Sequence, residues 1–535
     1  MTCTHCATGI ERKFAEKEGV LTQSVDYSSG IGQFEYDSGK LAKKDLIDLL
    51  EQGGSYRVTG EIEPNTAGKD SYDLIVIGGG SAAFAAAIKA DELGKRTLLI
   101  NGGLPTGGTC VNVGCIPSKF LIRAAEQVYR SSHSNFAGVQ AATATLEFRE
   151  IIREKKALVA TMREKKYLGI AEQLSTLEMC RGMAHFVAKN EIEVEGKRYQ
   201  ADHFLIATGT TTAIPDIPGL AETGYLTTDS LFELEEKPEE LVIIGAGYIG
   251  LEIAQAYQRL GCQVTLIQRS AQVLSNQAAD IAAELEQQFE KEGIRLLKSA
   301  KIERIEAQQG KALLHIITNS GKLEIMASHI LLASGRQANT AQLHLEAAQV
   351  ALDENGFVKT NSGQQTNVAH IYAAGDCTAT PAYVYTAAAE GQIAIRNMFE
   401  PGPVQANYDG LPWVVFTDPQ VAGAGMDEIQ AAAAGLPFEV RVLPLSEVPR
   451  AVVAKDTRGF IKLIRDPRTD LLLGARMVGA EAGELVMETS LAIRFGIKVN
   501  ELASAFHPYL TLSEGVKLAA ITFAKDVAML SCCAV

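Results

Sequence analysis

Nine cysteines in a chain of 535 residues carry the first chemical signal. They stand at 3, 6, 110, 115, 180, 262, 377, 532 and 533, so six fall into three close pairs and three stand alone. In a reducing compartment such pairs point to metal or redox chemistry more than to structural staples. Cys110 and Cys115 lie in GGTCVNVGCIPSK, residues 107–119. On an irregular loop entering a helix, that spacing brings two sulfurs within disulfide reach, and a helix N-terminus stabilises a thiolate. The spacing alone also fits a structural disulfide or two buried thiols. Cys532 and Cys533 are adjacent, with Cα atoms held about 3.8 Å apart. That is below the usual disulfide range, so the reduced pair offers two soft ligands on a tail. Cys3-Thr4-His5-Cys6 is a further CxxC before a predicted helix, suited to a thiophilic ion or a redox pair, with His5 not required as a ligand. Cys180, Cys262 and Cys377 are expected to be small buried residues.

Two glycine turns add nucleotide chemistry. Gly78-Gly79-Gly80-Ser81-Ala82-Ala83 follows the apolar run YDLIVI and opens an alanine-rich helix, and Gly245-Ala246-Gly247-Tyr248-Ile249-Gly250 follows ELVII in the same way. Glycines at these positions let the backbone approach a pyrophosphate held at the helix N-terminus. The first unit's second strand ends in Asn101, where an acid commonly grips the adenine ribose. The second unit's ends in Gln268-Arg269-Ser270, with no carboxylate for a bare ribose diol and an Arg able to meet a 2′-phosphate. NADP is therefore favoured over NAD, the alternative being that Arg269 is only a solvated turn residue. Two nucleotide units joined to a dithiol suggest electrons passing from nicotinamide to flavin to sulfur, because a flavin bridges hydride and thiol chemistry.

The elements that must position these groups follow from periodicity. Residues 1–65 read as a small helix–strand–strand–helix module, with YRVTG as an edge strand and EIEPNTAGKDS as a polar linker. Two βαβ units follow at 72–100 and 240–267, and from Asn407 onward short strands predict an antiparallel sheet backed by helices at 483–497 and 511–525. The expected fold class is α/β, with two Rossmann-like dinucleotide-binding domains, an α+β interface domain and a small ferredoxin-like N-terminal domain. Fifty basic against 64 acidic side chains leave a net charge of −14, a poor basis for holding nucleic acid or an anionic membrane. No secretion signal or membrane-length apolar run is present in the sequence, so a cytoplasmic location without membrane insertion is expected.

With these residues in view, the chain resembles the flavin-dependent pyridine nucleotide-disulfide oxidoreductases, relatives of glutathione reductase and dihydrolipoamide dehydrogenase. GGTCVNVGCIPSK carries that likeness over about residues 70–535. Within the group, the terminal Cys-Cys resembles the mercuric reductases, and residues 1–65 resemble a heavy-metal-associated domain with its MTCxxC motif, although the usual strand before that motif has no counterpart. The resemblance implies domains at 1–65 (metal-binding), 66–225 and 351–405 (FAD), 226–350 (NADPH) and 406–535 (dimerisation, with the Cys-Cys tail).

The resemblance also implies roles. Cys110 and Cys115 form the redox pair, Cys115 nearer the flavin and able to form its charge-transfer thiolate. Lys119 pairs with Glu252 near flavin N5, Tyr248 gates the nicotinamide, and Asp376 bonds the ribityl chain. Gly78, Gly80, Ser81, Ala82, Ala83, Asn101, Gly108, Thr109, Lys119 and Gly209 complete the FAD set; Gly245, Gly247, Gly250 and Arg269 hold NADPH. Tyr509 occupies the position of the acid/base His of disulfide reductases, counted back from Glu514. A phenol with a pKa near 10 protonates a thiol leaving group poorly, so Tyr509 and Tyr167 are expected beside a bound metal instead, and His507 is not expected to be the base. Cys3, Cys6, Cys110, Cys115, Cys532 and Cys533 are the expected mercury ligands. The activity implied is NADPH-dependent reduction of Hg(II) to Hg(0) for mercury resistance, by a homodimer with shared active sites. The rival readings are a disulfide reductase on the same core and a non-catalytic metal chaperone or sensor.

Overall fold

A computed structural model describes residues 4–15, 17–26, 31–52, 58, 71–142, 144–526 and 529. The chain divides into two compact units, Met1–Lys69 and Asp70–Val535. In the first, helices Thr4–Ala15 and Lys43–Glu51 flank the antiparallel strands Val20–Asp26 and Ile31–Tyr36. Ile10, Phe14, Val25, Leu41 and Leu46 form its core, with the Phe14 and Phe34 rings 4.4 Å apart. The helix–strand–strand–helix order is the one predicted. Among the described residues the sheet has two strands, short of a complete ferredoxin-like sheet. Of the predicted edge strand YRVTG only Val58 is described, and it is not in a strand; its N–H donates to Glu51 Oε1 at 2.9 Å.

Among the described residues the second unit holds five sheets, of which three organise the fold. In the first, Leu177–Arg181, Thr97–Asn101, Ser71–Ile77 and Lys197–Ile206 lie parallel in that order, and Ile371–Ala373 adds in parallel on the far side of Lys197–Ile206. Parallel strands buried on both faces explain the continuous apolar runs in the sequence. The second sheet is the parallel set Arg295–Leu297, Gln263–Ile267, Glu240–Ile244 and His329–Leu332, followed on one side by an antiparallel meander over residues 301–327. The third is the predicted antiparallel sheet, in the order Trp413–Val415, Gln420–Gly425, Leu472–Gly479, Phe460–Arg465 and Glu439–Pro444. Helices Ala482–Arg494 and Glu514–Ile521 share its core. No helix among the described residues is long and apolar enough to cross a membrane.

The first sheet is completed by a late segment of the chain. Helix Val384–Phe399 lies on the first nucleotide helix, Ser81–Glu92, and the contact is close enough that a Cβ on Gly391 would stand 2.3 Å from the Ala82 carbonyl oxygen. Gly391→Ala is therefore expected to separate the helices at a cost of about 1–3 kcal/mol, read as a lower thermal midpoint.

Candidate functional site

Each glycine turn is shaped by steric need. Gly78 sits at φ +134°, and a Cβ there would meet the Ala207 carbonyl oxygen at 2.1 Å; Gly245 sits at φ +111°, with Ala333 O at 2.3 Å from the same virtual atom. A Cβ on Gly250 would fall 1.9 Å from Gly245 O, so the third glycine lets the helix close on the strand, whereas one on Gly247 would enter open space. The third position of the first turn, Ala83, is fully buried. These turns open the helices Ser81–Glu92 and Tyr248–Arg259, whose free N–H groups make two cradles that could hold a pyrophosphate.

Around the first cradle, Asn101 ends its strand and donates to Leu104 O at 3.0 Å. Gly108 faces Gly80 so closely that a Cβ on it would be 2.7 Å from Gly80 Cα, and Thr109 follows in the short helix Gly108–Asn112. Gly209, at φ +67°, precedes Thr210, whose hydroxyl donates to Asp376 Oδ2 at 3.2 Å. Asp376 itself follows the Gly375 turn. Near the second cradle, Gln268 folds back to accept from Ala246 N at 3.3 Å and Arg269 is exposed at the strand end.

The dithiol lies between the cradles. Cys110 is on the helix Gly108–Asn112 and Cys115 is the first residue of the helix Cys115–Ser132; both are half-buried thiols, the reduced form of the pair. A hydrogen bond from the Cys110 thiol, with the charge of Lys119 one turn along the helix, lowers the Cys115 pKa from 9.0 to about 7 against the opposing effect of burial. Cys110 moves the opposite way, because it keeps the proton it shares with Cys115. Charge therefore settles on Cys115, at a helix N-terminus.

Lys119 Nζ is 2.7 Å from Glu252 Oε2 and 4.5 Å from the Phe416 ring centre, and the other carboxylate oxygen of Glu252 accepts from Phe416 N–H at 2.9 Å. Lys119 belongs to the dithiol helix, Glu252 to the second nucleotide helix and Phe416 to the turn after the first strand of the third sheet. Tyr167, in a π-helical turn over Glu164–Leu168, lies beside Ser81, stands edge-on to Phe84 at 4.9 Å and feels the charges of both cysteines. Burial pushes its phenol up, so it remains a neutral hydroxyl. Tyr248 stacks on Trp413 with ring centres 5.5 Å apart.

Tyr509 is half-exposed in the segment before Glu514–Ile521, and His507 Nε2 lies 2.7 Å from Glu488 Oε1. Cys3, Cys532 and Cys533 lie outside the described residues, as does the Cys6 side chain. Cys262 and Cys377 are buried and Cys180 is half-buried. Burial raises the thiols of Cys262 and Cys377 to about 12 and about 11.

Two shaping residues were not anticipated from the sequence. Asn112 is buried, donates to Pro105 O at 2.9 Å and Gly108 O at 2.8 Å, and accepts from Arg163 at 3.2 Å, fixing the loop ahead of Cys110. Glu390 is buried, accepts from Gly375 N–H at 2.7 Å and from the Tyr408 hydroxyl at 2.6 Å, and so orients the turn that carries Asp376. An Asn two residues after the first cysteine of CxxxxC offers a weak sequence signal; Glu390, inside an apolar helix, offers only its polarity.

Residues 72–391 match the family model described as pyridine nucleotide-disulphide oxidoreductase, and residues 411–520 match its dimerisation domain. Both the FAD-binding and the NAD(P)H-binding domains of that family are present. A mercuric reductase of Staphylococcus aureus is 38% identical over 541 residues, covering 100% of this chain and 98% of the relative. One from Streptomyces lividans is 41% identical over 470 residues, covering 86% and 98%. Among solved structures, the HOCl-induced flavoprotein disulfide reductase RclA from Escherichia coli superposes with a TM-score of 0.76 at 28% identity, covering 85% of this chain and 100% of that one. A Cu(II) complex of RclA gives 0.75 at 28% identity, covering 83% and 98%.

The electrostatics make a direct statement about sulfur reactivity. In the reduced protein, iodoacetamide should alkylate Cys115 with a pH profile rising near 7. Lys119→Gln removes the stabilising charge, so the profile moves to higher pH and the rate at pH 7 falls by roughly threefold or more. Peptide mass analysis of the labelled cysteine checks both.

Proposed function

The chain belongs to the pyridine nucleotide-disulphide oxidoreductases, as a relative of the mercuric reductases, and from that premise we propose that it reduces Hg(II) to Hg(0) with electrons from NADPH. The observation that carries this reading is the end-to-end likeness to mercuric reductases, 38% identity over the full chain, in a sequence that ends in a Cys-Cys pair and holds Tyr509 where a disulfide reductase would hold its acid/base histidine. The net reaction converts NADPH and Hg²⁺ to NADP⁺, H⁺ and Hg⁰.

Hg²⁺ is strongly thiophilic and content with two ligands, so it passes between cysteine pairs by ligand exchange without release of a naked ion. Cys532 and Cys533 of one subunit take Hg²⁺ from a soluble thiol complex and deliver it to Cys110 and Cys115 of the other. Cys3 and Cys6 collect or hand over mercury without being required for the chemistry. Tyr167, neutral beside the dithiol, and Tyr509 flank the ion with hydroxyl oxygens. Cys115 holds the negative charge at the dithiol because Cys110 and Lys119 stabilise it. Gly78, Gly80, Ser81, Ala82, Ala83, Asn101, Gly108, Thr109, Gly209, Lys119 and Asp376 would hold FAD, which fits the turn because a Cβ on Gly78 or Gly108 would strike Ala207 O or Gly80 Cα and force it open. Gly245, Gly247, Tyr248, Gly250 and Arg269 would hold NADPH, with Arg269 meeting the 2′-phosphate. Bound there, FAD would supply the redox chemistry that carries the two electrons of NADPH to Hg²⁺ held by Cys110 and Cys115. A cytoplasmic homodimer, built on the dimerisation domain, is the setting this reading requires.

A side-by-side assay of NADPH oxidation with Hg²⁺, Cu²⁺, oxidised glutathione and lipoamide tests the reading. Mercury-dependent oxidation with release of volatile Hg⁰ is expected; turnover of a disulfide at a greater rate, with no Hg⁰, would favour the disulfide-reductase alternative. The C532A/C533A double variant should lose turnover with thiol-complexed Hg²⁺ while NADPH still reduces the flavin.

A further inference from the structure

Trp413 is the only tryptophan in the chain, and its place is built rather than incidental. It belongs to the first strand of the third sheet and is paired with Gly423. A Cβ on Gly423 would stand 2.7 Å from Trp413 Cζ2 and 2.8 Å from Arg476 Cδ, so glycine there makes room for both large side chains. Trp413 is 8% exposed and covers one face of Tyr248, the rings 5.5 Å apart and inclined by 26°. Beneath it lies Arg476, 1% exposed, with its guanidinium carbon 5.6 Å from the indole centre.

Arg476 is fixed in turn. It donates to the carbonyl oxygens of Ala424, Gly425 and Ala475 at 2.9–3.2 Å and to the side-chain oxygens of Gln277 and Gln430 at 3.1 Å. A buried guanidinium so fully bonded has one orientation. Gln277, itself buried, also lies beside the Tyr248 hydroxyl, as do Asn276 and Tyr383. The tyrosine is therefore placed with its ring against Trp413 and its hydroxyl beside a polar cluster that Arg476 anchors through Gln277. Offset stacking between aromatic rings contributes beyond its buried area, and the cation under the indole strengthens that platform.

We propose that Trp413 is a positioning residue for nucleotide entry: it holds Tyr248 in its resting place over the nicotinamide site, and entry of the nicotinamide breaks the Tyr248–Trp413 stack. This rests on the reading that Tyr248 covers the nicotinamide site. The dimerisation domain thereby sets the ease of NADPH entry into a neighbouring domain. Affinity for NADPH is lowered by the free energy of the stack, because the closed gate must be opened before the nicotinamide can dock.

The test uses the full-length, flavin-loaded protein. NADP⁺ binds without reducing the flavin, and Trp413 is the sole indole emitter, so a titration with NADP⁺ should give a saturable change in tryptophan emission. Trp413→Ala should lower KM for NADPH by about twofold to tenfold, while Trp413→Phe, which keeps a stacking ring, should stay near the parent value. Thermal midpoints of both variants separate this from lost packing, which would lower stability and kcat without lowering KM. Flavin reduction by NADPH with emission unmoved at saturating NADP⁺, or with KM unmoved in Trp413→Ala, would overturn the platform and leave the proposed function standing. No flavin reduction by NADPH in the parent protein would instead overturn the reading beneath it.

Discussion

The ion pair between Lys119 and Glu252, 2.7 Å apart, joins residues that lie 133 positions apart in sequence, and the rest of the site is arranged about it. Lys119 fixes the charge near the dithiol, Glu252 ties that lysine to the nucleotide helix that begins at Tyr248, and Phe416 N–H holds the carboxylate from the third sheet. A buried carboxylate with one cation and one N–H donor is satisfied on both oxygens; with either removed it would carry an uncompensated charge.

A second layer keeps that contact in register. Gln255, one turn beyond Glu252, accepts from Asp418 N–H at 2.7 Å and donates to Asp418 O at 2.8 Å, so two side chains of one helix read alternate peptides of the segment 416–418. Arg259, a further turn along, binds Glu292 at 2.7 Å and Asp418 at 2.9 Å, and Arg458 binds Asp418 at 2.6 Å. The side chains of Arg259 and Glu292 are 4% and 2% exposed, so desolvation offsets much of their attraction. Breaking one partner of such a cluster costs about 3–5 kcal/mol, while replacing the whole by apolar groups can be neutral. The cluster is better understood as specifying how the third sheet docks on the nucleotide helix than as a source of stability.

Features with local causes were legible in the sequence. The two glycine turns, their strands and helices, the antiparallel sheet after Asn407 and the placement of Cys115 at a helix start all follow from spacing within about 30 residues, because a glycine's positive φ or a close strand–helix approach is a local demand. Glu252 was reached only by resemblance, since nothing near it in sequence announces Lys119. Gln255, Asp418, Trp413 and Arg476 were not reached at all: their partners lie across sheets, and periodicity carries no information about which polar residue meets which. Glu390 reads as a polar interruption of an apolar helix and acquires meaning only when that helix lies beside the Gly375 turn. In the first unit, helix and strand order was legible from alternation, while completeness of its sheet was not, because pairing partners cannot be counted from one strand's pattern.

Charge at the dithiol resides on Cys115, and Cys110 keeps its proton. The most direct measurement is the long-wavelength charge-transfer absorbance between a thiolate and bound oxidised flavin, compared in Cys110→Ser and Cys115→Ser. The band should be present in Cys110→Ser and absent in Cys115→Ser. Its presence in Cys115→Ser, or its absence from both, would contradict this account.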